Sequence, residues 1–483
     1  MNLLRKIVLV ICLCFAIIGK AQIDTSILSK QYSVKQLRED LDFLEKRLTK
    51  FHPDPYHYIS KDSLHLFVEE IKKQITAPLN EFQFRFLTRQ IVAKIGCGHT
   101  VVSASKKYIK AVDKYNRPVF PVDVWLLDTN RIFVRDYLLN DSLLKKGDEI
   151  LSIDGRSSIE IMKRVKSCFA SDGFNETYKK QNLQRDRFRY FYASAYSYKT
   201  TYKVEVQTLH GETKIVELKC MYSGVDTMKI ILPHDTTIIY RNTRAIFKKD
   251  PTDKSIAIID INNFLGKKWR KFTRKTFKYL KKHPEVTNLV IDLRDNGGGR
   301  VSKGTYLMKY LIDKPFSYSF GRKPNLLVLD PRIKINVFSR LTNFGFLFCL
   351  PSHVKKGKWM HLFFSLPKKR KGFKGKIFVL TNGRSFSMSG MASSYLKYKA
   401  NATIIGEETG GTLTGSNAML SGTVVLPNTK TQIIVPLYHI HHQVKVPDTK
   451  RGLMPDFPVQ YGIDDLLKKK DLEMEKVREL IKK

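Results

Sequence analysis

NLVIDLRDNGGG, residues 288–299, is the stretch from which the architecture can be read. An apolar run from Leu289 to Leu293, broken only by Asp292, leads straight into Arg, Asp, Asn and three glycines. That is the pattern of a strand covered on both faces and ending in a loop at its carboxyl end. The pattern recurs on either side, as SIAIIDI (255–261) before it and KIFVLT (376–381) and ATIIG (402–406) after it. Helical stretches near 268–282, 301–312 and from about 387 separate these runs. Such alternation predicts an α/β unit over 250–462 on a mostly parallel sheet, with TVVLP (423–427) and TQIIVPLY (431–438) as further strands. The interval 314–372, rich in Lys with Pro and Gly, fits the alternation poorly and is expected to run over the surface.

Upstream the period changes. Over 24–100 the spacing predicts three amphipathic helices: one capped by Ser33 with Leu37, Leu41, Leu44 and Leu48 on a face, one carrying Leu64, Val68, Ile71 and Ile75, and one capped by Asn80. Helices this short need a neighbour to pack on. From 116 to 220 short strands dominate. There the turn at Gly147-Asp148, the strand with Ile150 and Ile153 and the turn at Asp154-Gly155 resemble a PDZ domain, whose sheet edge captures extended peptides. An ordinary hairpin and helix would leave the same trace.

At 483 residues, with 42% hydrophobic and 27% charged residues, the chain is a folded globular protein of about three domains, not a disordered or repetitive one. Residues 1–21 read as a signal peptide: Arg5 and Lys6, an apolar run from Ile7 to Gly19, then small residues Gly19 and Ala21 before Gln22. The run is shorter than the roughly 20 residues of a membrane span, so the protein is expected to be exported, to the periplasm, the envelope or the medium. The net charge of +40 is spread over many segments. It suits an anionic envelope surface better than nucleic acid, which export would remove from reach. Cys97, Cys168, Cys220 and Cys349 form no zinc pattern, while a Cys168–Cys220 bridge is conceivable. His439 and His441 share a strand face, compatible with a metal pair or with simple exposure.

Two loops suit acyl transfer. Gly297, Gly298 and Gly299 let the backbone turn its N–H groups toward a developing negative charge, and neither GK[ST] nor GxGxxG argues for phosphate there. After KIFVLT, the run Asn382-Gly383-Arg384-Ser385-Phe386-Ser387-Met388-Ser389-Gly390 places serines between a buried strand and a helix N-terminus. Orphan backbone donors there favour an oxyanion, although the serines could simply cap the helix.

Taken in order, VIDLRDNGGG (290–299), VLTNGRSFSMSG (379–390), IIGEETGG (404–411) and GLMPDFPV (452–459) resemble the catalytic domain of the C-terminal-processing and tricorn serine peptidases. The resemblance implies a crotonase-like catalytic fold, a peptide or protein substrate and no cofactor. It also implies Ser387 as nucleophile, and an oxyanion hole from the amides of Gly298, or its neighbour Gly297, and Met388. Where the processing branch places its lysine base, this chain has Thr412, and no lysine occurs from 401 to 429. The tricorn branch uses an upstream histidine, and IGCGHTVV (95–102) resembles its motif, so His99 becomes the base, at an ordinary imidazole pKa near 6.5. Gly98 stands where that branch has serine, and Gly390 where the family commonly has glutamate. Asp448, Glu407 and Glu408 are candidate orienting acids. A peptide- or lipid-binding protein without turnover on the same fold is the alternative reading.

Overall fold

The computed structural model describes residues 25–482 except 114, 129, 140, 223–236, 323–332, 336–351, 356–357 and 369–371. The expected leader and Cys349 lie outside the described residues.

Three helices open the described chain: α1 (Val34–Phe51), α2 (Lys61–Gln74) and α3 (Glu81–Lys94). Ser33 and Asn80 cap α1 and α3 through reciprocal bonds with Gln36 and Gln83, so the N-terminal donors are satisfied locally. Leu37, Leu41, Leu44 and Leu48 lose all or nearly all contact with solvent, in the same core as Ile259, Leu289, Ile291 and Val379 of the α/β unit. These helices are therefore a wall of the downstream core. A short strand, β1 (Val101–Ser103), follows α3.

The middle of the chain has its own core. Strands β2 (Val122–Leu127), β3 (Arg131–Tyr137), β4 (Glu149–Ile153), β5 (Thr201–Gln207) and β6 (Thr213–Lys219) form an antiparallel sheet in the order β6-β5-β4-β3-β2. Helices α4 (Ser158–Ser167), α5 (Glu176–Leu183) and α6 (Asp186–Tyr196) pack against it. Gly147 and Gly155 hold positive φ at the two turns beside β4.

The α/β unit contains two sheets. In the first, β7 (Ile238–Arg241) and β8 (Ala245–Lys249) are antiparallel, and β9 (Ile256–Ile261), α7 (Trp269–Lys282), β10 (Asn288–Asp292) and α8 (Val301–Met308) begin its parallel part. The second sheet takes β11 (Phe316–Arg322), β12 (Ser352–Lys355) and β13 (Lys358–Ser365). The chain then returns to the first as β14 (Lys376–Thr381), helix α9 (Met388–Ala400) and β15 (Thr403–Gly406). It closes the second with the long hairpin β16 (Gly415–Val425) and β17 (Gln432–His442), and β18 (Phe457–Pro458) completes the first. The parallel order is β9-β10-β14-β15-β18, so the loops after β10 and β14 emerge side by side at the carboxyl edge.

The second sheet corrects the expectation for 314–372. Strand β11 lies between β13 and β17, with Phe316, Tyr318 and Phe320 buried. Lysines elsewhere in the interval disguise these aromatics, which alternate with Ser and Gly at the two-residue period of a half-buried strand. The conceivable disulfide is also absent, since Cys168 and Cys220 are both free thiols.

Candidate active site

Four segments far apart in sequence meet beyond the ends of β10 and β14. Ser385 joins two of them: its Oγ donates to the Leu293 carbonyl at 2.7 Å and accepts from Asn382 N–H at 3.0 Å. Phe386 N–H donates to the Asn296 carbonyl at 3.1 Å. The next residue, Ser387, stands at the start of α9 with φ 56° and ψ −119°, a conformation costing a non-glycine residue about 1–3 kcal/mol. Its side chain makes no capping bond to the helix. The alternative that these serines merely cap the helix therefore does not describe Ser387, whereas Ser385 is the structural serine of the pair.

The glycine loop comes up against this turn. Gly298 has φ +97°, and a Cβ built there would lie 2.7 Å from Ser387 Cβ and 2.9 Å from Met388 N. Only a residue without a side chain lets the two backbones approach so closely. Met388 N–H belongs to the first turn of α9, where backbone donors have no intrahelical acceptor. Gly298 N–H, by contrast, donates to Asn296 Oδ1 at 2.9 Å, while Asn296 Nδ2 donates to the Ile261 carbonyl at 2.7 Å. Gly297 faces open space.

His99 reaches this region because the helical segment is fastened to the β16–β17 hairpin. The solvent-free carboxylate of Asp40 accepts from Asn428 N–H (2.8 Å), Thr429 N–H (2.9 Å) and Thr429 Oγ1 (2.6 Å). Strand β1 then pairs with β17 through Val101–Ile434 and Val102–Ile433. His99, two residues before β1, lays its ring 4.4 Å from that of Phe386, the neighbour of Ser387. The residue is half-buried, its Nδ1 is shielded without a hydrogen-bond partner, and desolvation pulls its pKa down to about 4. This differs from the ordinary imidazole value expected from sequence. Burial favours the neutral ring, the form that accepts a proton.

The fourth segment, Ser171–Tyr178, is one that sequence reasoning missed. Gly173 N–H donates to the Gly96 carbonyl at 2.9 Å, and Gly98 N–H donates to Asp172 Oδ1 at 2.7 Å. Asn175 Nδ2 donates to the Thr409 carbonyl at 2.6 Å, and Thr177 Oγ1 to that of Glu408 at 3.0 Å. Tyr178 sets its ring 4.6 Å from Phe386. The one sequence signal was the SDGFNET run, a turn followed by an Asn cap.

The acids suggested by sequence are occupied. Glu407 meets Lys180 at 2.6 Å and Gln181 at 2.7 Å; Glu408 meets Arg451 at 2.6 Å and Gly452 N–H at 2.8 Å; Asp448 meets His57 at 3.1 Å. Cys97, fully buried with its pKa pushed up to about 12 by desolvation, stays a thiol. His439 Nδ1 pairs with Asn417 Oδ1 at 2.9 Å, and His442 Nδ1 with the Leu413 carbonyl at 2.9 Å.

Residues 255–459 match the profile of peptidase family S41. Among solved structures, mature CPAF complexed with lactacystin aligns with TM-score 0.62 and 16% identity over 93% of this chain and 98% of that one. Mature CPAF alone gives 0.60 and 16% over 89% and 94%. The photosystem II D1 C-terminal processing protease gives 0.41 and 13% over 88% and 93%. At such identities the likeness to CPAF is one of fold. A search of curated proteins finds no match.

Proposed function

Residues 255–459 make this chain a member of peptidase family S41, a serine peptidase, and on that premise we propose that it is exported and cleaves peptide bonds through an acyl-enzyme formed on Ser387 with His99 as base. The observation that carries this reading is the turn at Ser387: a strained serine at a helix N-terminus, uninvolved in capping, with the Gly298 backbone drawn against it. In the proposed reaction His99 Nε2 takes the proton from Ser387 Oγ as that oxygen attacks the scissile carbonyl. Met388 N–H and an amide of the Gly297–Gly298 turn receive the oxyanion. The leaving amine departs with the proton from His99, and water, activated by the same ring, releases the acyl group. Turning Gly298 N–H toward the oxyanion requires it to leave Asn296 Oδ1, a change that bound substrate would drive.

The middle sheet, with its PDZ-like turns, is proposed to dock the peptide chain. Its edge strand β2 contributes Trp125, Leu126 and Leu127 to a cleft of about 740 Å³ that reaches Asp295 and Asn382 of the catalytic loops. Export rests on residues 1–21, and attraction to an anionic envelope on the basic surface.

The second reading, a binding protein without turnover, draws on the occupied Gly298 amide and on a His99 ring set against Phe386. Peptide-library digestion separates the two. The wild type should cleave, Ser387→Ala and His99→Ala should each lose orders of magnitude in kcat, and the double variant should be little worse than either. A wild type that binds but never cleaves would establish the second reading.

A further inference from the structure

We infer that Asp172 is the acid that positions His99, an assignment that rests on the Ser387–His99 reading above. Asp172 retains 2% of its surface, and its Oδ2 has no hydrogen-bond partner among the described residues. An ionised carboxylate does not stay buried and half-satisfied without cost. A buried orphan acceptor therefore calls for a donor, and the nearby His99 Nδ1 is a buried orphan as well.

Geometry joins the two. Asp172 Oδ1 holds the amide of Gly98, the residue before His99, so the carboxylate is tied to the backbone that carries the imidazole. On its other side, a Cβ built on Gly411 would stand 3.5 Å from Ser387 N and 3.8 Å from Asp172 Oδ2. Nucleophile, carboxylate and histidine loop thus border one small space floored by Phe386. A rotation of the His99 side chain away from Phe386 would let Nδ1–H donate to Asp172 Oδ2 and turn Nε2 toward Ser387 Oγ. When the ring takes the serine proton, the imidazolium would be paired with a carboxylate. The glycine at 98 is required as well, because a Cβ there would come 2.9 Å from Phe386 Cζ.

Desolvation pushes the Asp172 pKa up to about 7; the Gly98 amide bonded to Oδ1 opposes the rise most, and the Thr412 amide, which makes no hydrogen bond to the carboxylate within ordinary limits, opposes it less. The other titratable groups facing it are Tyr58, Tyr178 and Cys97, all pushed upward by burial and so neutral over the working range. His57 stands beyond Tyr58, 4.5 Å from its ring, and pairs with Asp448. Once the rotated His99 donates Nδ1–H to Asp172 Oδ2, each group favours the charged form of the other, so His99 rises from about 4, Asp172 falls from about 7, and the two titrate as a pair.

The test is the rate of fluorophosphonate labelling of Ser387 against pH for wild type, Asp172→Asn, Asp172→Glu and His57→Gln, together with the His99 titration by ¹⁵N NMR, which needs no turnover. Asp172→Asn, nearly isosteric, should lower the rate by about 10²-fold or more. It should also move the acid limb and the His99 midpoint to lower pH, since the carboxylate that favours imidazolium is gone. Asp172→Glu should restore part of both, and His57→Gln should change neither. Asp172→Asn that slows labelling without moving the His99 midpoint, or that labels like wild type while His99→Ala is dead, overturns the inference and leaves the Ser387–His99 reading standing. If His99→Ala labels as fast as wild type, that reading fails and this inference goes with it.

Discussion

Replacing Gly298 by alanine tests whether close approach of the glycine loop to the Ser387 turn is what builds the proposed site. The new Cβ would lie 2.7 Å from the Phe386 carbonyl oxygen, 2.7 Å from Ser387 Cβ and 2.9 Å from Met388 N, where ordinary contact is 3.4–4 Å. All three are backbone or short side-chain atoms, so no flexible group can swing aside and the loops must part by about 0.7–1 Å. Alanine at φ +97° also carries roughly 1–3 kcal/mol of backbone strain. A displacement near 1 Å at reacting atoms costs about 10²-fold in rate, or about 2.7 kcal/mol of barrier. Gly297→Ala is the matched control, because nothing lies within 4 Å of its Cβ and its amide is retained. Labelling rates with a fluorophosphonate, alongside thermal melts, should show Gly298→Ala folded but slowed about 100-fold, with Gly297→Ala within a few-fold of wild type. Equal rates for the two variants, or greater damage at 297, would refute the argument.

Other expectations follow from single contacts. Asp40→Ala leaves three hairpin donors without their charged acceptor, each such bond contributing about 1.5–3 kcal/mol; calorimetry should show several kcal/mol of lost stability, with His99-dependent labelling lost first as β1 loosens. Asp172 has a folded-state pKa near 7, above its unfolded value, so it binds protons more tightly when folded and its burden on stability grows from about pH 4 to pH 7. Asp172→Asn should therefore be more stable than wild type at pH 8, by a margin on the order of 4 kcal/mol, and show no such gain at pH 4; denaturant titration at both values checks the sign. Cys97→Ser should keep wild-type labelling, and reductant should leave the melting temperature unchanged with respect to Cys168 and Cys220, which are already thiols.

What could be read in advance was whatever local chemistry determines. Ser33 and Asn80 signal their helices because a cap acts within three residues, and β9, β10, β14 and β15 signal themselves because strands covered on both faces must be apolar throughout. The strained turn that carries Ser387 lies where the order of four motifs marked it. Asp172 was not legible, because nothing in SDGF marks a carboxylate whose partners are Gly98 and the 404–412 loop, brought together only by tertiary packing. The His99 motif was visible in the sequence but its protonation was not, since the burial that lowers its pKa comes from Phe386 and other elements distant in sequence. Strand β11 was hidden by composition, its buried aromatics diluted among lysines in the same interval. The orienting acids read from sequence were drawn from motif neighbours, and each of those carboxylates already serves another partner.

The central claim, that Ser387 is a nucleophile driven by His99, is tested most directly by peptide mapping of the fluorophosphonate-treated protein by mass spectrometry. The account expects one adduct per chain, located on Ser387, abolished in Ser387→Ala and slowed by orders of magnitude in His99→Ala. An adduct on Ser385 or Ser389, or labelling of Ser387 that proceeds at the wild-type rate without His99, would contradict it.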